Sequence, residues 1–104
     1  MEQGNHHSLI LATVNTGYTD EVMETARTAG ARGGTVIRAR WTDAEEVGKF
    51  AGITLQEEKE VLAIVATNRE RNAILEAINA KHGLRTAAQA MVISLPIDHT
   101  ARLD

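Results

Sequence analysis

The sequence predicts an α+β fold in which two helices cover one face of a four-stranded antiparallel sheet. Three observations predict it: aliphatic runs of strand length, helical periodicity between them, and glycine or proline where one pattern gives way to the next. At 104 residues the chain has room for one domain, so we expect 1–104 to form a single unit. Aromatic residues make up only 3% of the chain, so its core must be aliphatic.

The first two elements are a strand and a helix. Residues 9–14 form a short apolar run, which is typical of a strand buried on both faces. From Thr19 the apolar residues recur with a helical period, and Thr19 is placed to cap this helix ahead of acidic residues in its first turn. Gly30 is expected to end the helix.

The third element is a strand over residues 35–41, after a glycine-rich turn at 30–34. Its residues alternate, which predicts that Arg38 and Arg40 share one face with apolar neighbours on the other. Glycines allow close approach, and arginine forks near exposed amides can hold an anion such as phosphate. The spacing matches no phosphate-binding fingerprint, so a tight turn with solvated arginines is the alternative.

The connection over residues 42–56 is long for a compact domain. Loops of this length are usually functional or mobile. Residues 42–45 have the spacing of a capping box, which predicts a turn or two of helix before Gly48.

The second half of the chain repeats the first. Residues 61–66 predict another buried strand, and a capping-box spacing begins a helix over 67–81 that Gly83 ends. Residues 89–95 form the last strand, which Pro96 closes.

This order is a duplicated βαβ plan, the split or ferredoxin-like βαββαβ arrangement. Right-handed crossovers place both helices on one face of the sheet. Because the strands at 9–14 and 61–66 are apolar on both faces, the uncovered face would leave aliphatic surface in water. We therefore expect self-association, most simply as a closed ring of subunits.

Charge and composition weigh against several classes of protein. The net charge of −3 gives no general attraction to nucleic acid, and the absence of cysteine excludes disulfides, thiol nucleophiles and thiolate metal sites. Residues 1–7 are polar, and the apolar run after them is too short for a membrane span. We expect a cytoplasmic protein without membrane insertion.

Catalytic and metal-binding residues are not expected. The histidines are scattered, so solvated or helix-end roles suit them better than a metal site. The carboxylates of Glu57, Glu58 and Glu60 surround Lys59 without a nearby histidine, so solvated acids are a better interpretation than acid–base catalysis. The sequence therefore predicts no enzyme.

Three stretches, 30–36, 58–60 and 93–97, together resemble the PII-like signalling proteins, relatives of the nitrogen-regulatory PII trimers. The resemblance extends over residues 9–102. It implies a homotrimer that binds an adenine nucleotide (ATP, ADP or AMP) in clefts between subunits. It also implies a mobile loop, here 42–56, that reports the ligand to a partner protein such as a transporter or an enzyme.

The resemblance assigns nucleotide binding to seven residues: Gly33, Gly34, Thr35, Arg38, Arg40, Lys59 and Arg102. Two segments, the loop 42–56 and residues 83–91, depart from the nitrogen-regulatory members. The loop lacks their modified tyrosine, and Gln56 stands at the wrong end for 2-oxoglutarate sensing. Segment 83–91 carries Arg85 as its only cation, which leaves a smaller anion, or no ligand, open.

Two other functions share this architecture. One is a structural or protein-interaction module in which the basic residues pair internally with carboxylates. The other is a trimeric metal-tolerance protein of the CutA type, which the scattered histidines support poorly.

Overall fold

The computed structural model describes residues 6–40 and 58–98. Six elements follow one another there: β1 (His7–Asn15), α1 (Thr19–Thr28), β2 (Thr35–Arg40), β3 (Glu58–Thr67), α2 (Asn68–His82) and β4 (Met91–Pro96). Several expectations lie outside the described residues, namely loop 42–56 with its helical turn, Trp41 at the end of the second strand, His99 and Arg102. The order of elements confirms the predicted ferredoxin-like fold.

The four strands form one antiparallel sheet in the order β2-β3-β1-β4. The central strands β1 and β3 pair along their whole length, from His7 opposite Thr67 to Asn15 opposite Lys59. The outer strands β2 and β4 are shorter. The charged start of β3, residues 58–60, pairs with the end of β2, residues 38–40.

The core lies between the helices and one face of the sheet. Alternate residues of the central strands are buried there, as the period of two in a strand requires. Fully buried aliphatic side chains of this core are Ile10, Ala12, Val14, Val22, Ala26, Leu62, Ile64, Ile74 and Ile78. Among the described residues the buried cluster contains no aromatic side chain, in agreement with the low aromatic content of the chain.

The two ends of α1 differ in how well the sequence predicts them. At its end, Gly30 has φ +123° and the amides of Gly30 and Ala31 donate to Arg27 and Ala26, which is the Schellman arrangement and confirms the predicted stop. At its start the prediction is wrong. Tyr18 occupies the N-cap without a side-chain cap, and the Thr19 hydroxyl instead donates to the Glu60 carboxylate. The Thr19 hydroxyl therefore forms a contact with β3 and does not cap its own helix.

The ends of α2 confirm the predicted signals. Thr67 caps the helix by accepting a hydrogen bond from the Glu70 amide at 3.3 Å, and its hydroxyl donates to the Glu70 carboxylate at 2.9 Å. The helix ends at Gly83, where a Cβ would lie 2.6 Å from the Asn79 carbonyl oxygen. Glycine is required there because a side chain has no room. Its backbone conformation does not require glycine, since a φ of −64° is open to any residue.

The glycine-rich turn before β2 has one position where the sheet itself requires glycine. A Cβ on Gly34 would lie 2.9 Å from the carbonyl oxygen of Ala63, whereas one on Gly33 would meet nothing within 4 Å. Gly34 therefore allows β2 to begin flush against β3. This is a structural role for a residue that the resemblance assigns to a nucleotide site.

The sheet face opposite the helices is called here the open face. Following the register from strand to strand, its side chains are Thr35, Ile37, Ala39, Leu9, Leu11, Thr13, Val61, Ala63, Val65, Met91, Ile93 and Leu95. Apart from two threonines they are apolar, and Ile93 is 54% exposed. The described helices leave this surface uncovered, and neither of them is long and apolar enough to cross a membrane.

Strand β2 is more exposed than predicted. All six of its residues are exposed, because it is an edge strand that lies beyond the cover of the helices. Arg38 and Arg40 share a face as predicted, and Ile37 lies on the other. Val36 falls on the arginine face, so the apolar side of the strand is narrower than the sequence suggests.

His82 is the last residue of α2, and it is buried rather than solvated. Its ring Nε2 lies 2.8 Å from the Thr25 hydroxyl of α1, so this pair joins the two helices. Burial lowers the pKa of His82; the Glu21 carboxylate opposes this shift and Lys81 adds to it. The predicted helix-end position is confirmed, and the predicted surface role is wrong.

The lowered pKa of His82 predicts that acid weakens the fold. The unfolded chain takes up the proton at a higher pH than the folded chain. The contribution of His82 to the free energy of unfolding is therefore fully present above about pH 6.5, and it falls as the pH drops toward the folded pKa. Urea unfolding at pH 7.5 and pH 5.5 should show the loss. In His82→Gln, which cannot titrate, the difference between the two pH values should shrink; an unchanged difference would assign it to other groups.

Candidate functional site

A cavity of about 230 Å³ opens where the end of β2 meets the start of β3. The described residues that line it are Thr16, Arg38, Ala39, Arg40, Glu58, Lys59 and Glu60. The antiparallel register brings them together, since Ala39 pairs with Lys59 and each flanking arginine pairs with a glutamate. Three basic and two acidic residues thus line one small cavity, with Lys59 on the open-face side of the sheet and the other four on the helix side.

On the interaction-module alternative, the two arginines of the cavity would pair with carboxylates. Arg38 lies opposite Glu60 in the ladder and Arg40 opposite Glu58, yet within residues 6–40 and 58–98 neither arginine forms an ion pair. The Glu60 carboxylate accepts the Thr19 hydroxyl instead. In the part of the chain that the structure describes, neither arginine thus shows the internal pairing that the interaction-module alternative requires.

Lys59 is the most unusual side chain of the cavity. It is 2% exposed, and its Nζ donates to the side-chain oxygen of Asn15 at 2.7 Å. Burial lowers the pKa of the Lys59 ammonium from its usual value. Because a buried charge with a neutral partner is costly, and an ammonium has three donors, a bound anion would both accept from Lys59 and stabilise it.

Asn15 and Lys59 depart from the alternation of buried and partly exposed residues along their strands. By register they follow Thr13 and Val61 on the open-face side of the sheet, where the strand residues before them are partly exposed. Both are nonetheless buried, since segment 83–90 bonds to Asn15 and Asn15 in turn bonds to Lys59. The ammonium therefore lies at one end of the open face.

The seven residues assigned by the resemblance do not all meet in this cavity. Arg38, Arg40 and Lys59 line it, and Arg102 lies outside the described residues. Gly33, Gly34 and Thr35 stand at the other end of β2, with Gly34 about 16 Å along the strand from Ala39. The structure thus places three of the four cations of the predicted site along one cavity.

Sequence reasoning missed Thr16, Asn15 and Glu60 as neighbours of the cavity. Asn15 and Thr16 stand just before Gly17, where they suggest only a turn. Glu60 was expected to be solvated, but it belongs to β3 and is partly buried. One signal in the sequence could have indicated that Glu60 lies at the cavity: the charged residues 58–60 directly precede the apolar strand run 61–66. The same three residues are one of the stretches on which the resemblance rests.

Solved structures of other proteins share this fold. The PII protein of Arabidopsis thaliana, solved with citrate bound, has a TM-score of 0.68 at 17% identity, over 95% of this chain and 82% of its own. A PII-like signalling protein from Thermus thermophilus has a TM-score of 0.62 at 17% identity, over 86% of this chain and 85% of its own. A functionally unknown protein from Pediococcus pentosaceus has a TM-score of 0.64 at 16% identity, over 95% of this chain and 99% of its own.

Sequence comparison adds no closer relative. The chain matches no protein-family profile, and it matches none of the curated proteins significantly. The likeness to solved structures covers most of the chain at low identity, and so it concerns the path of the backbone. This chain has the fold of the PII and PII-like signalling proteins.

Proposed function

We propose that this protein is a non-catalytic PII-like regulator that binds an adenine nucleotide, or a similar phosphate-bearing anion, beside Lys59, Arg38 and Arg40. The observation that carries the proposal is the cavity, which Arg38, Arg40 and Lys59 all line without an ion pair among the described residues, the arginines from the helix side of the sheet and Lys59 from the open-face side. Arginine forks suit phosphate oxygens, and the partly desolvated ammonium adds a strong donor. The fold supports a regulatory role for such a site.

The proposed assembly is a homotrimer whose subunits cover one another's open faces. An apolar face of this extent is unfavourable in water and favours association. Because Lys59 lies at the end of that face, assembly would place a second subunit against the cavity. The nucleotide would then bind at a subunit boundary.

The proposed output is a change in residues 42–56, which connect the end of β2 to the start of β3. Both ends of this connection adjoin the cavity, since Arg40 and Glu58 line it. A ligand held between these ends would alter how the connection leaves the sheet. The partner would be a transporter or an enzyme that recognises the ligand-bound form.

Isothermal titration calorimetry with ATP, ADP and AMP tests the binding step. We expect at least one nucleotide to bind with Kd below about 1 mM, and Lys59→Met to weaken it by about tenfold to a hundredfold, the value of a hydrogen bond to a charged group. Lys81→Met is the matched control, since it removes an exposed lysine of α2, and it should bind like the unmodified protein.

Two results would contradict the proposal. If no nucleotide binds below about 1 mM, the ligand-free interaction module becomes the better description. If Lys59→Met and Lys81→Met weaken binding equally, the nucleotide responds to net charge and not to this cavity. Circular dichroism of both variants shows that the fold is retained.

A further inference from the structure

Asn15 is the point where three parts of the chain meet. It is 2% exposed, and both ends of its side-chain amide are occupied. The amide nitrogen donates to the Ala87 carbonyl at 2.9 Å and to the Gln89 side-chain oxygen at 3.1 Å, and the amide oxygen accepts from Lys59 at 2.7 Å. Its backbone amide also donates to the Ala88 carbonyl at 2.8 Å.

The orientation of this amide is fixed by chemistry. An ammonium only donates hydrogen bonds and a carbonyl only accepts them, so the oxygen of Asn15 must face Lys59 and its nitrogen must face Ala87. No other residue of this size offers an acceptor on one side and two donors on the other. Aspartate would present an oxygen to the Ala87 carbonyl, and leucine would leave Lys59 buried without this partner.

The segment that Asn15 holds has an unusual backbone. Gln89 has φ +49°, a left-handed conformation that is uncommon outside glycine. Its side chain reaches Asn15, and the neighbouring amide of Ala90 donates to the His82 carbonyl at 2.8 Å. Residues 83–90 are thus held in a specific shape between α2, Asn15 and the start of β4.

We propose that Asn15 is a positioning residue for the anion site: its amide holds the Lys59 ammonium at the cavity and joins it to segment 83–90. Asn15 does not itself line the cavity among the described residues. Because Lys59 has donors to spare, it keeps its bond to Asn15 when an anion binds, and the segment is ordered together with the ligand. This inference rests on the proposed function.

A double-mutant cycle on binding tests whether Asn15 acts through Lys59. The probes are ATP and inorganic pyrophosphate, titrated by calorimetry into the unmodified protein, Asn15→Ala, Lys59→Met and the double variant. We expect Asn15→Ala to weaken binding about tenfold and the double variant to bind no more weakly than Lys59→Met. Asn72→Ala, an exposed asparagine of α2, is the matched control and should change nothing.

The outcomes separate the two proposals. If neither probe binds the unmodified protein, the proposed function fails and this inference fails with it. If the probes bind but Asn15→Ala matches Asn72→Ala, or its loss adds fully to that of Lys59→Met, only the role of Asn15 is wrong. Asn15→Ser, which keeps a small polar group, replaces Asn15→Ala in the cycle if the alanine variant does not fold.

Hydrogen exchange tests the connection to segment 83–90. Adding ATP should slow amide exchange over residues 83–90 in the unmodified protein, and this slowing should be lost in Asn15→Ala at ATP concentrations that restore occupancy. A purely structural asparagine would change the exchange of the free protein and leave the ligand-induced slowing intact. That result would overturn the connection.

Discussion

Ile93→Glu is expected to convert an assembled protein into folded single subunits. Ile93 is 54% exposed on the open face, so a charged side chain there stays in water in the single subunit and costs the fold little. In an assembly that covers the open face the same carboxylate would lose its water without gaining a cation. That cost is several kcal/mol for each subunit, which is enough to prevent association.

Sedimentation velocity at micromolar concentration measures this effect. The unmodified protein should sediment as a trimer and Ile93→Glu as a single subunit with the same circular dichroism. The matched control is Ala73→Glu, which adds the same charge at an exposed position of α2, on the helix side of the molecule. It should remain assembled. A single subunit for the unmodified protein would leave the open face uncovered and contradict the proposed trimer.

The six elements are predictable because hydrophobic period and turn residues agree along the chain. Gly30 and Gly83 end helices, and Thr67 begins one, where the local sequence signals it. The ends of strands are less predictable. β3 begins at Glu58 and not at residue 61, because residues 58–60 pair with β2 and two of them also with β1, although their side chains are charged. Backbone pairing extends a strand beyond its apolar pattern.

The buried polar contacts are not predictable from local sequence. Lys59 and Asn15 are 44 residues apart in the chain, and Thr25 and His82 are 57 apart. In both pairs each residue alone resembles a solvated surface residue. Thr19 shows the same effect, since its spacing suits a cap but Glu60 takes its hydroxyl. Local patterns show which segments form, and only the packing of segments shows which polar groups become buried.

The candidate site contains both kinds of residue, those that the sequence marks and those that only packing reveals. The resemblance assigns Arg38, Arg40 and Lys59 to one nucleotide site, and the structure places all three along one cavity, because they flank the two ends of one connection. It carries no information on Asn15, since an asparagine two residues before a glycine suggests only a turn. The clustering of these three basic residues is therefore predictable here, and the contact of Lys59 with Asn15 is not.

Ile64→Ala is expected to cause a large loss of stability. Ile64 is fully buried opposite Ile10 and beneath the helices, so truncation removes buried surface and leaves a cavity, at a cost of about 2–5 kcal/mol. A domain of this size is stable by about 5–15 kcal/mol, so this single change removes a large part of the total. Urea unfolding followed by circular dichroism measures it.

Val65→Ala is the comparison that gives this result its meaning, because Val65 follows Ile64 on the same strand and points to the open face at 44% exposure. In a dilute sample of single subunits its truncation should cost less than about 1 kcal/mol. In a concentrated, assembled sample the cost should rise, since the side chain is then covered by a neighbouring subunit. Ile64→Ala, by contrast, should cost the same in both samples. If the cost of Val65→Ala does not depend on concentration, the open face is not what holds the subunits together.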